Sequence, residues 1–371
     1  MFTISYLARP PKHSRVPRFF ALGFAILLLW AGLFPFTGWR DNGTPLWAFL
    51  SYHWPYYFSR FDFGLNIVAF IPLGIACRQD FRQRHHAVAA WIISAGLCAL
   101  LSFTIESVQM FLPGRNASNV DLLANSLGGM LGALIPPVFR RLPFSLEIRR
   151  WRYHVFAEGL LADYALVLGV IWFIAQSDPA MPMFGIVVKP QGLPQPFESP
   201  ISDPGLFLRI LEVSGSLVHF LCVSIFVAML VRSNRYFYPI LLTLSLLTLL
   251  MKLALAGLLL TPGYLFSWLN LNIALAQCLG WLMLPLLIRF KRVYLALGGL
   301  VLILLEQVIS YHWPLTANPV AMLHIFKWSL GHLQNFTAVA NLAADLWPCL
   351  VVFYFLAFLL FKYQKRSKYT F

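Results

Sequence analysis

Ten apolar stretches divide this chain, at about 19–36, 61–77, 87–112, 120–138, 159–176, 205–231, 238–260, 265–288, 293–311 and 345–361. Each approaches the roughly 20 residues that a helix needs to cross the hydrocarbon of a bilayer. Inside that hydrocarbon the backbone must satisfy its own polar groups, so apolar spans of this length form helices. Only 11% of the residues are charged and 59% are hydrophobic, against about 25% charged in a soluble domain. The chain therefore reads as an all-α, polytopic transmembrane helix bundle of about ten spans, with little mass outside the membrane.

Charge in the connecting segments orients the spans. Lysine and arginine concentrate on the cytoplasmic side of short loops. Here Arg9, Lys12, Arg15 and Arg18 precede the first span; Arg78, Arg82 and Arg84 follow the second; Arg140, Arg141, Arg149, Arg150 and Arg152 follow the fourth. Arg232 and Arg235 follow the sixth, Arg289, Lys291 and Arg292 the eighth, and Lys362, Lys365, Arg366 and Lys368 the tenth. The alternate loops hold only Arg40, Arg60, Arg115, Lys189 and Lys327. The alternation holds at every loop, so both termini are expected in the cytoplasm. The formal net charge of +14 is placed to orient helices and meet anionic lipid, and no nucleic-acid partner is expected.

The basic start followed by an apolar run at Phe19–Phe36 is similar in outline to a signal peptide. Its length, and the Gly38–Trp39–Arg40–Asp41 sequence after it, mark it instead as a retained span. Cys77, Cys98, Cys222, Cys278 and Cys349 form no CxxC pair and fall in or at the edge of apolar spans. They read as small buried hydrophobes, with neither a disulfide framework nor a zinc site. No metal or other cofactor is expected.

The two longest loops fall on the external side. Residues 177–204 are proline-rich, and 312–344 contain an apolar-periodic stretch from Met322 to Leu342 that reads as an interfacial or re-entrant segment. The short sequence SYHWP occurs at Ser51–Pro55 and again at Ser310–Pro314, in an aromatic-rich chain where chance is the simple account. RRLPFSLEIRRWR, inside the 139–158 loop, is expected to lie at the cytoplasmic surface and to mark a domain boundary.

Against this apolar background, polar residues in the second, third and fourth spans stand out. Asp62 and Asn66 lie four apart, Glu106 and Gln109 three apart, and Asp121 and Asn125 four apart, so each pair shares one helix face. Arg115 sits in the short external connection between the third and fourth spans. By the charge-derived topology all six span residues lie in the outer part of the membrane, with Glu106 roughly 9 Å below the outer end of its helix. Ionisable groups in spans are rare without a partner or a task. Asp62 and Asp121 have an alternative role as helix caps, and Asn66 and Asn125 as interhelical hydrogen-bond donors. Glu106 has an alternative as the buried ion-pair partner of Arg115. Gly128, Gly129 and Gly132 read as residues that let helices approach closely.

The pattern DxxxNIxxFxPLG, followed by ExxQxFxPGRxxxxxDxxxNxxGxxxG, resembles the VanZ-like family of bacterial membrane proteins over about residues 19–140. The matching positions are Asp62, Asn66, Pro72, Gly74, Glu106, Gln109, Pro113, Arg115, Asp121, Asn125 and Gly128. Many relatives carry an additional acidic residue just before the final aspartate, where this chain has Ser118–Asn119–Val120. The resemblance implies a VanZ-like four-span domain at 1–145, followed by a six-span membrane extension at 146–371. It also implies a bacterial cytoplasmic (inner) membrane location and action on the cell envelope, with a link to teicoplanin susceptibility.

The extension has its own intramembrane polar residues: Glu212, Lys252, Asn270, Asn272, Glu306 and Gln307. An unpaired lysine in a span is costly, so Lys252 is expected to pair with Glu306 or Glu212. Three functions remain open. The first is an outward-facing polar site binding a lipid headgroup, a lipid-linked glycan or a related envelope ligand, through Asp62, Asn66, Glu106, Gln109, Arg115, Asp121 and Asn125. The second is a transporter or flippase. The third is a membrane-embedded acid/base enzyme, with Glu106 or Asp121 moving the proton and Arg115 holding an anionic group.

Overall fold

A computed structural model describes residues 14–41, 43–54, 59–139, 145–178, 181–184, 199–266, 268–312, 327 and 330–367. Every described residue in regular structure is helical, apart from isolated bridge residues at Phe156, Val231 and Leu260, the first two paired with each other. Eight helices are long and apolar enough to cross a membrane, and two shorter apolar helices, Leu160–Ala175 and Leu271–Leu287, occupy the positions of the fifth and eighth expected spans. At 1.5 Å per residue the shorter pair measure about 24–26 Å, slightly less than a typical hydrocarbon core. The chain divides into two compact units, Met1–His154 and Val155–Phe371.

The first unit holds α1 (Val16–Leu33), α2 (Arg60–Phe81), α3 (Ala87–Gln109), α4 (Asn119–Phe139) and most of the short α5 (Ser145–Val155). Backbone contact joins α2 to α4. A Cβ added to Gly128 would fall 2.2 Å from the Ile67 carbonyl oxygen, one on Gly132 would fall 2.2 Å from that of Ile71, and one on Gly74 would fall 2.2 Å from that of Gly129. The three glycines mesh the helices along two turns, which is how small residues drive association in lipid. Helix α3 crosses this pair, with Cys98 tucked against Gly129. A cluster of Phe70, Leu73, Cys77, Cys98 and Ile105 receives Phe24 and Leu28 of α1. At the end of α2 rich in arginine, Asp80 takes Arg84 at 2.7 Å and Arg18 at 3.4 Å.

The second unit is organised on α7 (Pro204–Leu230), the most deeply buried of the long spans. Helix α9 (Leu271–Leu287) and α10 (Arg292–His312) pack against it, and α6 (Leu160–Ala175) packs against α11 (Leu330–Ser367). Glycines again set the closest approaches: Gly280 meets the Phe220 ring, and Gly299 meets Phe355 and Ile225. The side chains of Trp347 and Tyr164 donate to the carbonyls of Leu168 and Leu350, tying α6 to α11. Helix α8 (Phe237–Leu259) completes the unit.

Three local expectations change. The stretch read as an interfacial or re-entrant segment does not stand alone. Its residues 330–342 belong to the 38-residue α11, while 322–326 and 328–329 lie outside the described residues. Cys278 and Cys349 are exposed rather than buried, because they face the side of their helices that lipid would cover. Helix α3 ends at Gln109, which puts Glu106 only about 4.5 Å, or one turn, from the helix end. Most of the proline-rich loop and the Pro55, Trp313 and Pro314 positions of the SYHWP copies fall outside the described residues.

An even number of spans returns the chain to its starting side. A reporter fused near Arg149 or at the C-terminus is expected to read cytoplasm, and one near Gln191 the external side. Opposite signals at either place would overturn the ten-span arrangement.

Candidate functional site

The start of α2, the end of α3 and the start of α4 meet at one end of the first unit. Two serines begin the helices there. Ser59 Oγ accepts from the Asp62 N–H at 3.3 Å, and Ser118 Oγ accepts from the N–H groups of Val120 and Asp121 at 3.2 and 3.4 Å. Asp62 and Asp121 are therefore not the caps. They are first-turn residues three positions after a serine cap, and Ser-x-x-Asp at both places was the pattern that could have shown this.

In that pattern the residue three positions on commonly returns to the N–H of the cap. Here Glu106 of α3 takes it instead: Oε2 accepts from Ser118 N at 2.8 Å. Asp121 is released to face α2, where its Oδ1 accepts from Asn66 Nδ2 at 2.8 Å. One turn deeper, Asn125 Nδ2 donates to Ser102 Oγ at 3.0 Å. The three helices are thus laced by one polar ladder. Asn119, absent from the sequence reading as a candidate, donates to the Tyr52 carbonyl at 3.0 Å and keeps its own Oδ1 buried without a hydrogen-bond partner.

Arg115 is used differently from either expectation. Its Nε donates to Phe34 O at 2.8 Å and its Nη2 to Ala31 O at 2.9 Å. Gln109 Nε2 reaches the next free carbonyl, Gly32 O, at 2.7 Å. The last carbonyls of a helix lack intrahelical partners, and these two side chains supply them for α1. The expected Glu106–Arg115 ion pair does not form. Glu106 still lies close enough to both the guanidinium and Asp121 for each to act on it electrostatically. Burial pulls Arg115 below the ordinary arginine value, and the Glu106 charge opposes that pull.

Glu106 is 2% exposed. One of its oxygens is fixed by Ser118, and the other has no hydrogen-bond partner among the described residues. Asp121 keeps one oxygen beyond its bond to Asn66 in the same way.

Residues 14–140 match the family model described as VanZ/LLP1. This segment is a VanZ-like domain. No curated protein and no solved structure shows significant similarity to the chain. The VanZ-like domain thus contains all seven candidate positions of the first unit. It brings Asn66, Glu106, Asp121 and Asn125 into the ladder, places Asp62 at its rim, and assigns Gln109 and Arg115 to closing α1.

The polar residues of the second unit pair in ways the sequence did not reveal. Lys252 meets neither glutamate: its Nζ donates to the carbonyls of Asp178 and Met181, both at 2.8 Å. Glu212 accepts from Asn270 at 2.5 Å and from Asn272 at 2.8 Å. Glu306 Oε1 lies 2.8 Å from His219 Nδ1, while Trp172 Nε1 donates to His219 Nε2 at 3.1 Å. An indole nitrogen only donates, so His219 presents a lone pair at Nε2 and its N–H toward Glu306. His219 was missed because a single histidine in an apolar helix gives no signal until its partners, 47 and 87 residues away, are placed beside it.

Proposed function

We propose that the VanZ-like domain is an envelope-ligand binding domain of the bacterial cytoplasmic membrane, receiving a lipid headgroup or lipid-linked glycan at its outward end. Glu106 carries this reading. A carboxyl group only 2% exposed, with one oxygen held by a backbone N–H and the other without a hydrogen-bond partner among the described residues, leaves hydrogen-bonding capacity that a structural role would consume. The neighbouring Asp121 and the amides of Asn66 and Asn119 offer the mixed acceptors and polar edges that hydroxyl- and amine-bearing groups use. Arg115, spent on carbonyls, argues against an anion clamp and so against the acid/base enzyme that needed one. The polar ladder sits at one end of the unit rather than at mid-depth, where transporters often bind.

The test is Glu106→Gln in the full chain, purified with its native lipids. The variant keeps the size of the side chain and is expected to fold and accumulate normally. Retention of the envelope lipid or glycan, read by native mass spectrometry, should fall about tenfold or more, because a hydrogen bond to a charged group contributes about 1.5–3 kcal/mol. Unchanged retention rejects the site. If the ligand is one that a glycopeptide must reach, expression of the chain shifts teicoplanin susceptibility in a sensitive host and the Glu106→Gln variant does not.

A further inference from the structure

At the outward end of the VanZ-like domain, side-chain nitrogens turn to protein acceptors while oxygens are left over. The Nδ2 groups of Asn66, Asn119 and Asn125 are directed to Asp121, the Tyr52 carbonyl and Ser102. Gln109 Nε2 and Arg115 Nε and Nη2 are directed to the carbonyls of α1. Asn119 Oδ1, Asn125 Oδ1 and the Ser107 hydroxyl are buried and have no hydrogen-bond partner among the described residues. One oxygen of Glu106 and one of Asp121 join them. Amide and carboxylate oxygens accept hydrogen bonds, and among these groups only the serine hydroxyl also donates.

Charge points the same way. Asp62 acts electrostatically on Asp121, and Asp121 on Glu106. The first two are partly exposed and Glu106 is buried, so the three carboxyl groups follow one another inward. Arg115, the cation that acts on Glu106, is already engaged with Phe34 O and Ala31 O. Carboxylates withdrawn from water are costly without a cation among them. A phosphate or carboxylate entering here would meet like charge and acceptors. Among the described residues, no group of three or more His, Cys, Asp or Glu is arranged to hold a metal ion. A primary ammonium group brings a positive charge and three N–H donors together, whereas a trimethylammonium group brings the charge alone.

Resting on the envelope-ligand reading of this end, we infer that the group it recognises is a primary ammonium. The ammonium enters past Asp62 and Asp121 toward the unpartnered oxygen of Glu106, where hydrogen bonds between charged groups are the strong ones. Two arginines stand outside the carboxyl groups. Arg40 is exposed and held beside the end of α3 by its N–H bond to Phe111 O at 3.0 Å, and Arg60 is exposed at the start of α2. Negative charge within and positive charge at the rim complement a zwitterionic headgroup whose ammonium enters first and whose phosphate stays outside. An aminophospholipid carries that headgroup, and a free amine carries the ammonium alone.

The full chain is purified in detergent and given equal amounts of phosphatidylethanolamine and phosphatidylcholine with the same acyl chains. These lipids differ only in whether the nitrogen carries hydrogens or methyl groups. Native mass spectrometry should show phosphatidylethanolamine retained about tenfold or more over phosphatidylcholine. Glu106→Gln should bring that ratio close to one with the thermal midpoint unchanged, and so should Asp121→Asn, which keeps an oxygen for Asn66. Equal retention of the two lipids by the parent chain overturns the inference even where Glu106→Gln releases both, a result that leaves the envelope-ligand site standing. That comparison needs no variant. A preference that persists in both variants places the ammonium elsewhere and also overturns it. Retention of both lipids unaltered by Glu106→Gln removes the site itself, and the ammonium with it. Displacement of both lipids alike by calcium marks a metal site and overturns the inference as well. Ethanolamine added in water chooses the source. If it displaces phosphatidylethanolamine, the ammonium alone is recognised. If it does not, the ammonium is recognised as part of the lipid.

Discussion

Gly132→Ala should cost the VanZ-like domain about 3 kcal/mol or more of stability, and Gly128→Ala a similar amount. A methyl group is ordinarily tolerated in a membrane helix, and overpacking a core typically costs about 1–3 kcal/mol because side chains can shift. At these positions no side chain is available to shift. The new Cβ would stand 2.2 Å from the carbonyl oxygen of Ile71 or Ile67, so α2 and α4 would have to separate as rigid bodies. Separation breaks the Asn66–Asp121 hydrogen bond and withdraws Asp121 from Glu106. The consequence reaches ligand binding as well as folding. Gly64→Ala and Gly96→Ala serve as controls, since neither added Cβ meets an atom within 4 Å. Thermal unfolding in detergent, followed by size-exclusion fluorescence, should show a much lower midpoint for the first pair and near-parental behaviour for the second. Parental stability in Gly132→Ala would show that the two helices are not in backbone contact.

In the second unit, Lys252→Met should be the most damaging polar-to-apolar change. Lysine at this position is 0% exposed, and methionine matches much of its length. The loss is electrostatic. The carbonyls of Asp178 and Met181 lose their donor, and the buried Asp178 loses a nearby cation. Removing one member of a buried charged arrangement costs about 3–5 kcal/mol. Near these two carbonyls is Phe184, whose N–H donates to Gln176 Oε1 at 3.2 Å and whose ring contacts Trp172 and Phe220. Adding Asp178→Asn to Lys252→Met should recover part of the stability, because the neutral amide has no charge for the missing cation to balance. A Lys252→Met chain with an unchanged thermal midpoint would show that the bonds from Lys252 to Asp178 and Met181 carry no stability.

The limits of reading this chain follow from what each feature depends on. Span number and the depth of polar residues are local: a run of apolar residues and a position along it suffice, and Glu106, Asn66 and Asp121 were placed at a common level on that basis. Partner choice is not local. Arg115 looked like a mate for Glu106 because both carry charge at one depth, but the carbonyls at the end of α1 carry no mark in the sequence. Lys252 likewise took backbone oxygens from a loop rather than either glutamate, since two carbonyls at 2.8 Å satisfy an ammonium without requiring a second ion to be buried. Ser118 was legible in principle through its Ser-x-x-Asp spacing. The capture of its N–H by Glu106 was not, because that bond depends on how α3 and α4 cross.

The closure of α1 carries a consequence for biosynthesis. Its terminal carbonyls, at Ala31, Gly32 and Phe34, are met by side chains 77 to 84 residues further along. A ribosome adds roughly 5–20 residues per second, so the first helix waits on the order of 4–15 s before Gln109 and Arg115 exist. During that interval its exit end is completed by water or by an insertase. Helix α1 is thus sealed only after α3 has been made, and any factor that shields its unfinished end would act within that window.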